Sequence, residues 1–274
     1  MTNSTAVKTG DALISIRGVS MSYGARRVLD SVDLDVCRGE ILVLLGGSGS
    51  GKTTLLKHLL GLAKPETGRI TINGVDITCC SPSELGAVRR RIGVAFQGGA
   101  LFNSMSVEDN VALPLRELTR LADSTIKLVV WMNLIAVGLA DAGSLHPPEL
   151  SGGMRKRAAV ARAMALDPEI LILDEPSAGL DPIVSAGLDE LILFLNRSFG
   201  ITILVITHEL ESAFHIADRV AMLYQGRLIA VDRKEQFAGN AHPRIRQFLD
   251  RQPDAVPRVA GDQFIAEFFR GIQT

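Results

Sequence analysis

The sequence predicts an α/β fold: a core of buried parallel strands and helices, an antiparallel β portion at its edge, and an inserted α-helical subdomain. Three observations carry this. ILVLLG (41–46), EILILD (169–174) and ITILVIT (201–207) are short, continuous apolar runs, the pattern of strands covered on both faces in a parallel sheet. Segments meeting at Asn73-Gly74 and at Gln225-Gly226 carry the dipeptide signal of antiparallel hairpins. From about residue 105 to 165 no convincing strand pattern occurs, and the stretch reads as helical.

In chain order, residues 1–11 read as a flexible start. ALISIRGVSM (12–21) alternates and is expected as a strand, as is SVDLDV (31–36). After ILVLLG comes TTLLKHLLGL (53–62), an apolar helix. RITINGVDIT (69–78) supplies two short strands around its Asn-Gly turn. SPSE (81–84) has capping-box spacing, with Pro82 at the first helical position, so a helix starts there. RIGVAF (91–96) is a further buried strand. The longest apolar run, LVVWMNLIAVGLA (128–140), is too short to span a bilayer and contains Asn133. VAMLYQGRLIAV (220–231) is the second hairpin. RQPDAVPRVAGD (251–262) reads as a linker, with two prolines, a glycine and charges. QFIAEFFRGIQT then sets Phe264, Ile265, Phe268, Phe269 and Ile272 on one helical stripe. That stripe suits either a last helix folded on its own domain or a clasp on another subunit.

Net charge is −1, so no global basic field points to nucleic acid. The clusters Arg89-Arg90-Arg91 and Arg155-Lys156-Arg157 are expected as solvated helix faces. The three cysteines, Cys37, Cys79 and Cys80, lack zinc-ligand spacing and fit reduced thiols of a cytosolic protein. The opening MTNSTAVKTG has no apolar segment of a secretion signal.

Chemistry begins at Gly46-Gly47-Ser48-Gly49-Ser50-Gly51-Lys52-Thr53-Thr54, which satisfies G-x-x-x-x-G-K-[ST] between a buried strand and a helix. Glycines there let backbone N–H groups wrap a phosphate. Lys52 is expected to neutralise the β- and γ-phosphates, and Thr53 to offer its hydroxyl to Mg²⁺. EILILDEPSAGLD places Asp174 and Glu175 at a strand's C-terminal end, where ligands bind in parallel sheets. Asp174 is expected to hold the metal, and Glu175 to orient and polarise an attacking water. His208, after ITILVIT, ends another buried strand at the same edge. Ser151, Gly152 and Gly153 open a helix and present a second phosphate cradle.

These motifs together resemble the ATP-binding subunit of an ABC transporter across about residues 12–245, with the helical subdomain at about 105–165 and a C-terminal extension over 246–274. GGSGSGKT resembles Walker A of the P-loop NTPases, ILILDEP Walker B and LSGGM the ABC signature. Gln97 fits the Q-loop, where it would sense Mg²⁺ and water; SAGLD with Asp181 fits the D-loop, His208 the switch histidine, and Tyr23 the aromatic that stacks on adenine. The resemblance implies ATP and Mg²⁺, and a head-to-tail dimer in which one subunit's Ser151, Gly152 and Gly153 cap the γ-phosphate on the other's Walker A. It implies a membrane permease as partner, placing the chain peripherally on the cytoplasmic face of the inner membrane.

Met154 departs from the usual LSGGQ. LSGGM followed by RKRAAVARA, together with FQGGALFNSMSVEDNVALPL, is similar to Mla/Mce-type ATPases, which energise lipid movement between membranes with a permease and an MCE-domain substrate-binding protein. Leu101 and Phe102 would line the groove for a permease helix, or serve as plain subdomain core. Rival readings are an importer of a polar solute such as an amino acid, a non-transport ABC protein, and a P-loop kinase. In a kinase LSGGM would have no task, and a non-transport member usually carries long coiled-coil insertions or two tandem domains.

Overall fold

The computed structural model describes residues 11–254, which fall into two compact units dividing after Phe237. The stripe expected over 264–272, and residues 1–10 of the flexible start expected over 1–11, lie outside the described residues.

The first unit opens with β1 (Ala12–Tyr23) and β2 (Arg26–Cys37), a long antiparallel pair. Next come β3 (Ile41–Leu45), the phosphate loop, α1 (Lys52–Leu59), β4 (Thr67–Ile72) and β5 (Val75–Asp76). Both residues of the Asn73-Gly74 turn have positive φ (48° and 79°), which the right-handed strand twist favours in a two-residue hairpin. α2 (Pro82–Arg89) begins at Ser81, whose Oγ accepts from Glu84 N while Glu84 Oε2 accepts from Ser81 N, the reciprocal cap expected from SPSE. β6 (Ile92–Ala95) leads into the helical region: α3 (Val107–Leu118), α4 (Asp123–Ala136), two short 3₁₀ turns and α5 (Gly152–Met164). β7 (Ile170–Asp174), α6 (Pro182–Phe199), β8 (Thr202–Thr207), α7 (Leu210–Ile216), β9 (Arg219–Tyr224) and β10 (Arg227–Arg233) come next, then α8 (Lys234–Ala238). Gln225 and Gly226 repeat the positive-φ pair, at 47° and 79°. In the second unit, α9 spans Pro243–Leu249.

Two sheets result. One is antiparallel, in the order β2-β1-β4-β5; the other runs β10-β9-β3-β8-β7-β6 and is parallel except for the β10–β9 hairpin at its edge. Leu42, Leu44, Ile170, Ile172, Leu204 and Ile206 from the parallel strands join Ile14, Ile16 and Leu29 from the antiparallel sheet in one buried cluster with Leu55 and Leu59 of α1. The spatial order β3-β8-β7-β6 sets which loops become neighbours. These strands run in one direction, so their C-terminal ends open on one edge of the sheet, where loops after parallel strands meet ligands.

Of the described helices none is long and apolar enough to cross a membrane. The apolar run from Leu128 lies mainly in α4, which buries Ile126, Val130 and Leu134 and leaves Leu128, Trp131, Met132 and Ile135 exposed.

Candidate functional site

Four neighbouring strand ends deliver the expected groups. Gly46 comes after β3, His208 after β8 and Glu175 after β7, and Gln97 lies just past β6. Register fixes their alignment: Leu45 pairs with Thr207, Ile206 with Asp174, and Leu173 with Ala95.

The phosphate loop is shaped by close approach. A Cβ on Gly46 would fall 2.5 Å from Leu223 O, and one on Gly51, at φ 111°, would fall 2.8 Å from Val28 O. Only glycine therefore lets the β1–β2 hairpin and β9 close around the loop. The turn after β9 is bound to it as well, through Gly226 N donating to Ser50 O at 3.0 Å. Lys52 Nζ donates to Gly46 O at 2.6 Å and Gly47 O at 3.1 Å, folding its ammonium over the loop. Burial lowers its pKa, while the charges of Glu175 and Asp174 act in the opposite sense. Tyr23, at the end of β1, is 51% exposed beside that hairpin turn, and a Cβ on Gly49 would lie 3.7 Å from Arg26 Nη2 in the same turn.

Glu175 is the most constrained acid. Its φ is 48°, a left-handed backbone at a non-glycine residue, which costs about 1–3 kcal/mol and survives only where surroundings enforce it. The restraints are explicit. Glu175 N donates to Ile206 O at 2.8 Å, and Glu175 O accepts from Lys156 Nζ at 2.9 Å. Its carboxylate accepts from Thr207 Oγ1 at 3.1 Å and lies 2.9 Å from His208 Nδ1. The neighbouring Asp174 has its pKa raised by burial and by Glu175, offset by Lys52 and Lys156. Asp174 ends β7, and the left-handed backbone at Glu175 takes the next acid out of the strand's alternation, so the two carboxylates are held by different geometry.

The donor set suits Mg²⁺: the Thr53 hydroxyl, the Gln97 amide oxygen and the Asp174 carboxylate are all hard oxygens, and a magnesium ion takes its remaining positions from phosphates and water. Thr53 and Gln97 are exposed and Asp174 half-buried. Among the described residues no three His, Cys, Asp or Glu side chains form a metal cage, which a nucleotide-borne ion does not need.

Ser151, Gly152 and Gly153 belong to a different neighbourhood. Ser151 caps α5, its Oγ accepting from Met154 N at 3.2 Å, so the hydroxyl hydrogen stays available to donate. The N–H groups that begin a helix lack intrahelical partners, which leaves those of Gly152 and Gly153 free of the ladder. Gly153 abuts α6: a Cβ there would lie 2.4 Å from Val184 Cγ1. Asp181 caps α6, accepting from Ile183 N and Val184 N at 3.0 Å each. The LSGGM and SAGLD segments are thus joined to each other through Gly153 and Val184.

Three participants escaped the sequence reading. Thr207 is buried and holds Glu175; its only clue is its place before His208. Ser177 Oγ donates to Glu209 Oε2 at 2.7 Å, bracing the turn after β7 against the segment after β8. The third is Lys156. The cations expected on solvated faces are instead largely tied to backbone: Lys156 to Gln97 O and Glu175 O, Arg157 to Val137 O and Gly187 O, and Arg89 to Leu60 O and Gly61 O. Carbonyl acceptors leave no side-chain signature, so the sequence alone could not show these bonds.

Residues 29–178 match the family model described as ABC transporter. The "Intermembrane phospholipid transport system ATP-binding protein MlaF" of Escherichia coli (strain K12) is 44% identical over 261 residues, 94% of this chain and 97% of that protein. The "Probable ribonucleotide transport ATP-binding protein mkl" of Mycobacterium leprae (strain TN) is 45% identical over 237 residues, 86% of this chain and 68% of that protein. Among solved structures, the dimeric ATP-binding cassette MJ0796 in a post-hydrolysis state bound to ADP and Pi aligns with a TM-score of 0.74 at 29% identity, covering 81% of this chain and 98% of that one.

Proposed function

The chain belongs to the ABC transporter family of ATP-binding proteins, and from that premise we propose that it works as a head-to-tail dimer whose ATP hydrolysis drives a membrane permease moving phospholipid between membranes. The observation that carries the chemistry is Glu175: a constrained backbone and two side-chain contacts aim one carboxylate at the edge where the phosphate loop ends.

Each group then has a task. Lys52 exchanges its two carbonyl partners for phosphate oxygens, and Gly46 to Thr54 supply N–H groups and hydroxyls around them. Tyr23 stacks on adenine. Thr53, Gln97 and Asp174 would hold Mg²⁺, which would supply neutralisation of the phosphate charge. Glu175 accepts a hydrogen bond from the attacking water and orients it; His208, beside that carboxylate, senses the γ-phosphate. From the second subunit, the Ser151 hydroxyl and the N–H groups of Gly152 and Gly153 close on the same phosphate, and Asp181 sets the α6 end that packs against them. Closure depends on the γ-phosphate, so hydrolysis separates the halves, and a difference in binding energy becomes motion.

The lipid cargo is supported by likeness to MlaF over nearly the whole of both chains, and by LSGGM with the segment after Gln97. In that segment buried Asn110 bonds both Phe102 N and Phe102 O, fixing a loop whose Phe102 side chain stays half exposed as a permease-facing residue. An MCE-domain protein would complete the assembly, with this chain peripheral at the inner membrane. The mkl relative, named for ribonucleotide transport, favours a second reading with a polar solute as cargo. Lipid analysis of the purified complex separates the two. For the chemistry, Glu175→Gln is the test. Loss of the water-orienting carboxylate should cut turnover about 10³-fold while ATP binding persists and the ATP-bound dimer accumulates. Near-normal ATPase activity in that variant would remove Glu175 from its role.

A further inference from the structure

We infer that Lys156 is a positioning residue that links the signature helix to the hydrolytic groups of its own subunit, an inference that rests on the roles proposed above for Gln97, Ser151 and Glu175. Lys156 lies little more than one turn of α5 beyond Ser151, and its Nζ donates to Gln97 O at 2.6 Å and to Glu175 O at 2.9 Å. The two carbonyls come after different strands, β6 and β7. One ammonium, with three donors on a flexible stem, spans both acceptors; methionine, of similar length, has no donor to offer either.

The carbonyl matters because of what it belongs to. Glu175 has left-handed φ, and its backbone oxygen otherwise accepts from Ala178 N at 3.3 Å. Releasing the ammonium frees that peptide to rotate, and rotation there swings the carboxylate that Thr207 and His208 contact. Burial lowers the Lys156 pKa, while the charges of Glu175, Asp174 and Glu209 act in the opposite sense.

The rest of α5 makes the link stiff. A Cβ on Gly93 in β6 would fall 2.2 Å from Ala163 O, so helix and strand are in backbone contact. Arg162 donates to Gly99 O at 2.9 Å and Ala100 O at 2.7 Å, clamping the loop beyond Gln97. A displacement at the start of α5 therefore carries Gln97 and Glu175 with it. In the dimer, Ser151 at that start meets the partner's nucleotide. Lys156 accordingly relays occupancy of one composite site to the acid and the glutamine of the other.

The experiment is steady-state ATPase kinetics on the full-length protein, with ATP binding and thermal melting measured in parallel. Lys156→Met should lower kcat about 10- to 100-fold, the scale of a misplaced catalytic group. KM for ATP should stay within about threefold, the Hill coefficient for ATP should fall towards one, and Lys156→Arg should recover most of kcat. Should Lys156→Met not yield folded protein, Lys156→Leu, which also lacks a donor, is read by the same quantities. A kcat within about twofold of the unaltered protein would overturn the inference. So would equal losses of kcat, ATP affinity and melting temperature with no rescue by arginine, the signature of a purely structural contact. Glu175→Gln run alongside distinguishes the levels: if it turns over normally, the assigned chemistry itself is lost; if it is inactive while Lys156→Met is unaffected, only the link is lost.

Discussion

Gly153 offers a quantitative test of how the signature segment is held. An added Cβ would sit 2.4 Å from Val184 Cγ1, whereas carbon atoms pack at about 3.5–4.0 Å, so more than an ångström of overlap must be relieved. Val184 cannot yield easily. It is β-branched in a helix, where one χ1 rotamer dominates, and its N–H is tied to Asp181 Oδ1 at 3.0 Å. Relief requires α5 and α6 to part. Overpacking of this kind costs about 1–3 kcal/mol, against which alanine regains about 1 kcal/mol of helix propensity over glycine. Gly153→Ala alone should thus destabilise by roughly 0–2 kcal/mol, a range too close to zero to decide anything. The double-mutant cycle with Val184→Ala is decisive, because removing the Val184 methyls abolishes the overlap. The expected coupling is about 1–3 kcal/mol in favour of the double variant, read by denaturant unfolding. At about 2–4 °C per kcal/mol, thermal melting should show the same rescue. A coupling below about 0.5 kcal/mol would refute the packing argument. ATPase activity adds a second reading: it should return with stability if packing is the only demand on Gly153, and stay lost if a phosphate must also approach that backbone.

Two further outcomes are expected. Ser151→Arg and Lys52→Ala should each silence the homodimer; mixing them makes half the dimers mixed, each with one intact composite site, so about a quarter of full turnover should return where one site turns over alone, and homodimers left unimpaired by both substitutions would exclude phosphate capping in trans. Burial holds the Asp189 carboxyl above its ordinary range, so stability is lost as pH rises through that raised value and the penalty vanishes below the unfolded aspartate's pKa of about 3.9. Asp189→Asn should therefore melt higher near neutral pH, by an amount that shrinks on acidification; an advantage equal at every pH would sink the burial explanation.

The parts of the fold written in side-chain periodicity or turn chemistry were legible. Asn73-Gly74 and Gln225-Gly226 need positive φ, and SPSE carries both halves of its cap, so the hairpins and the start of α2 could be placed from local residues alone. The parallel strands were readable as apolar runs, but their order was not, because neighbours such as β3 and β8 lie far apart in sequence and pair through backbone only. That order is what gathers Gly46, Gln97, Glu175 and His208 on one edge. The split of the antiparallel strands into a separate four-stranded sheet was likewise invisible locally. Thr207 looked like the last residue of a strand, and nothing in its type announced a bond to Glu175.

The arginine and lysine run in α5 shows the limit most sharply. By spacing it is a charged helix face; in the fold each of its cations reaches a carbonyl. Arg155 turns back to Leu150 O, Arg157 joins the end of α4 to Gly187 in α6, and Lys156 and Arg162 hold the segment around Gln97. A carbonyl acceptor is supplied by every residue, so no sequence pattern marks it. Function gives the run a reason that solubility does not. A cradle offered to another subunit transmits force only if its helix cannot slide over its own domain. Hydrophobic contact alone resists sliding weakly, because it is non-directional. Charge-assisted hydrogen bonds are directional and roughly twice as strong as neutral ones, so a helix held by several of them moves as one body with the strand ends it grips. The same residues that deny α5 a plain solvent face would thereby fit it to the relay proposed for Lys156.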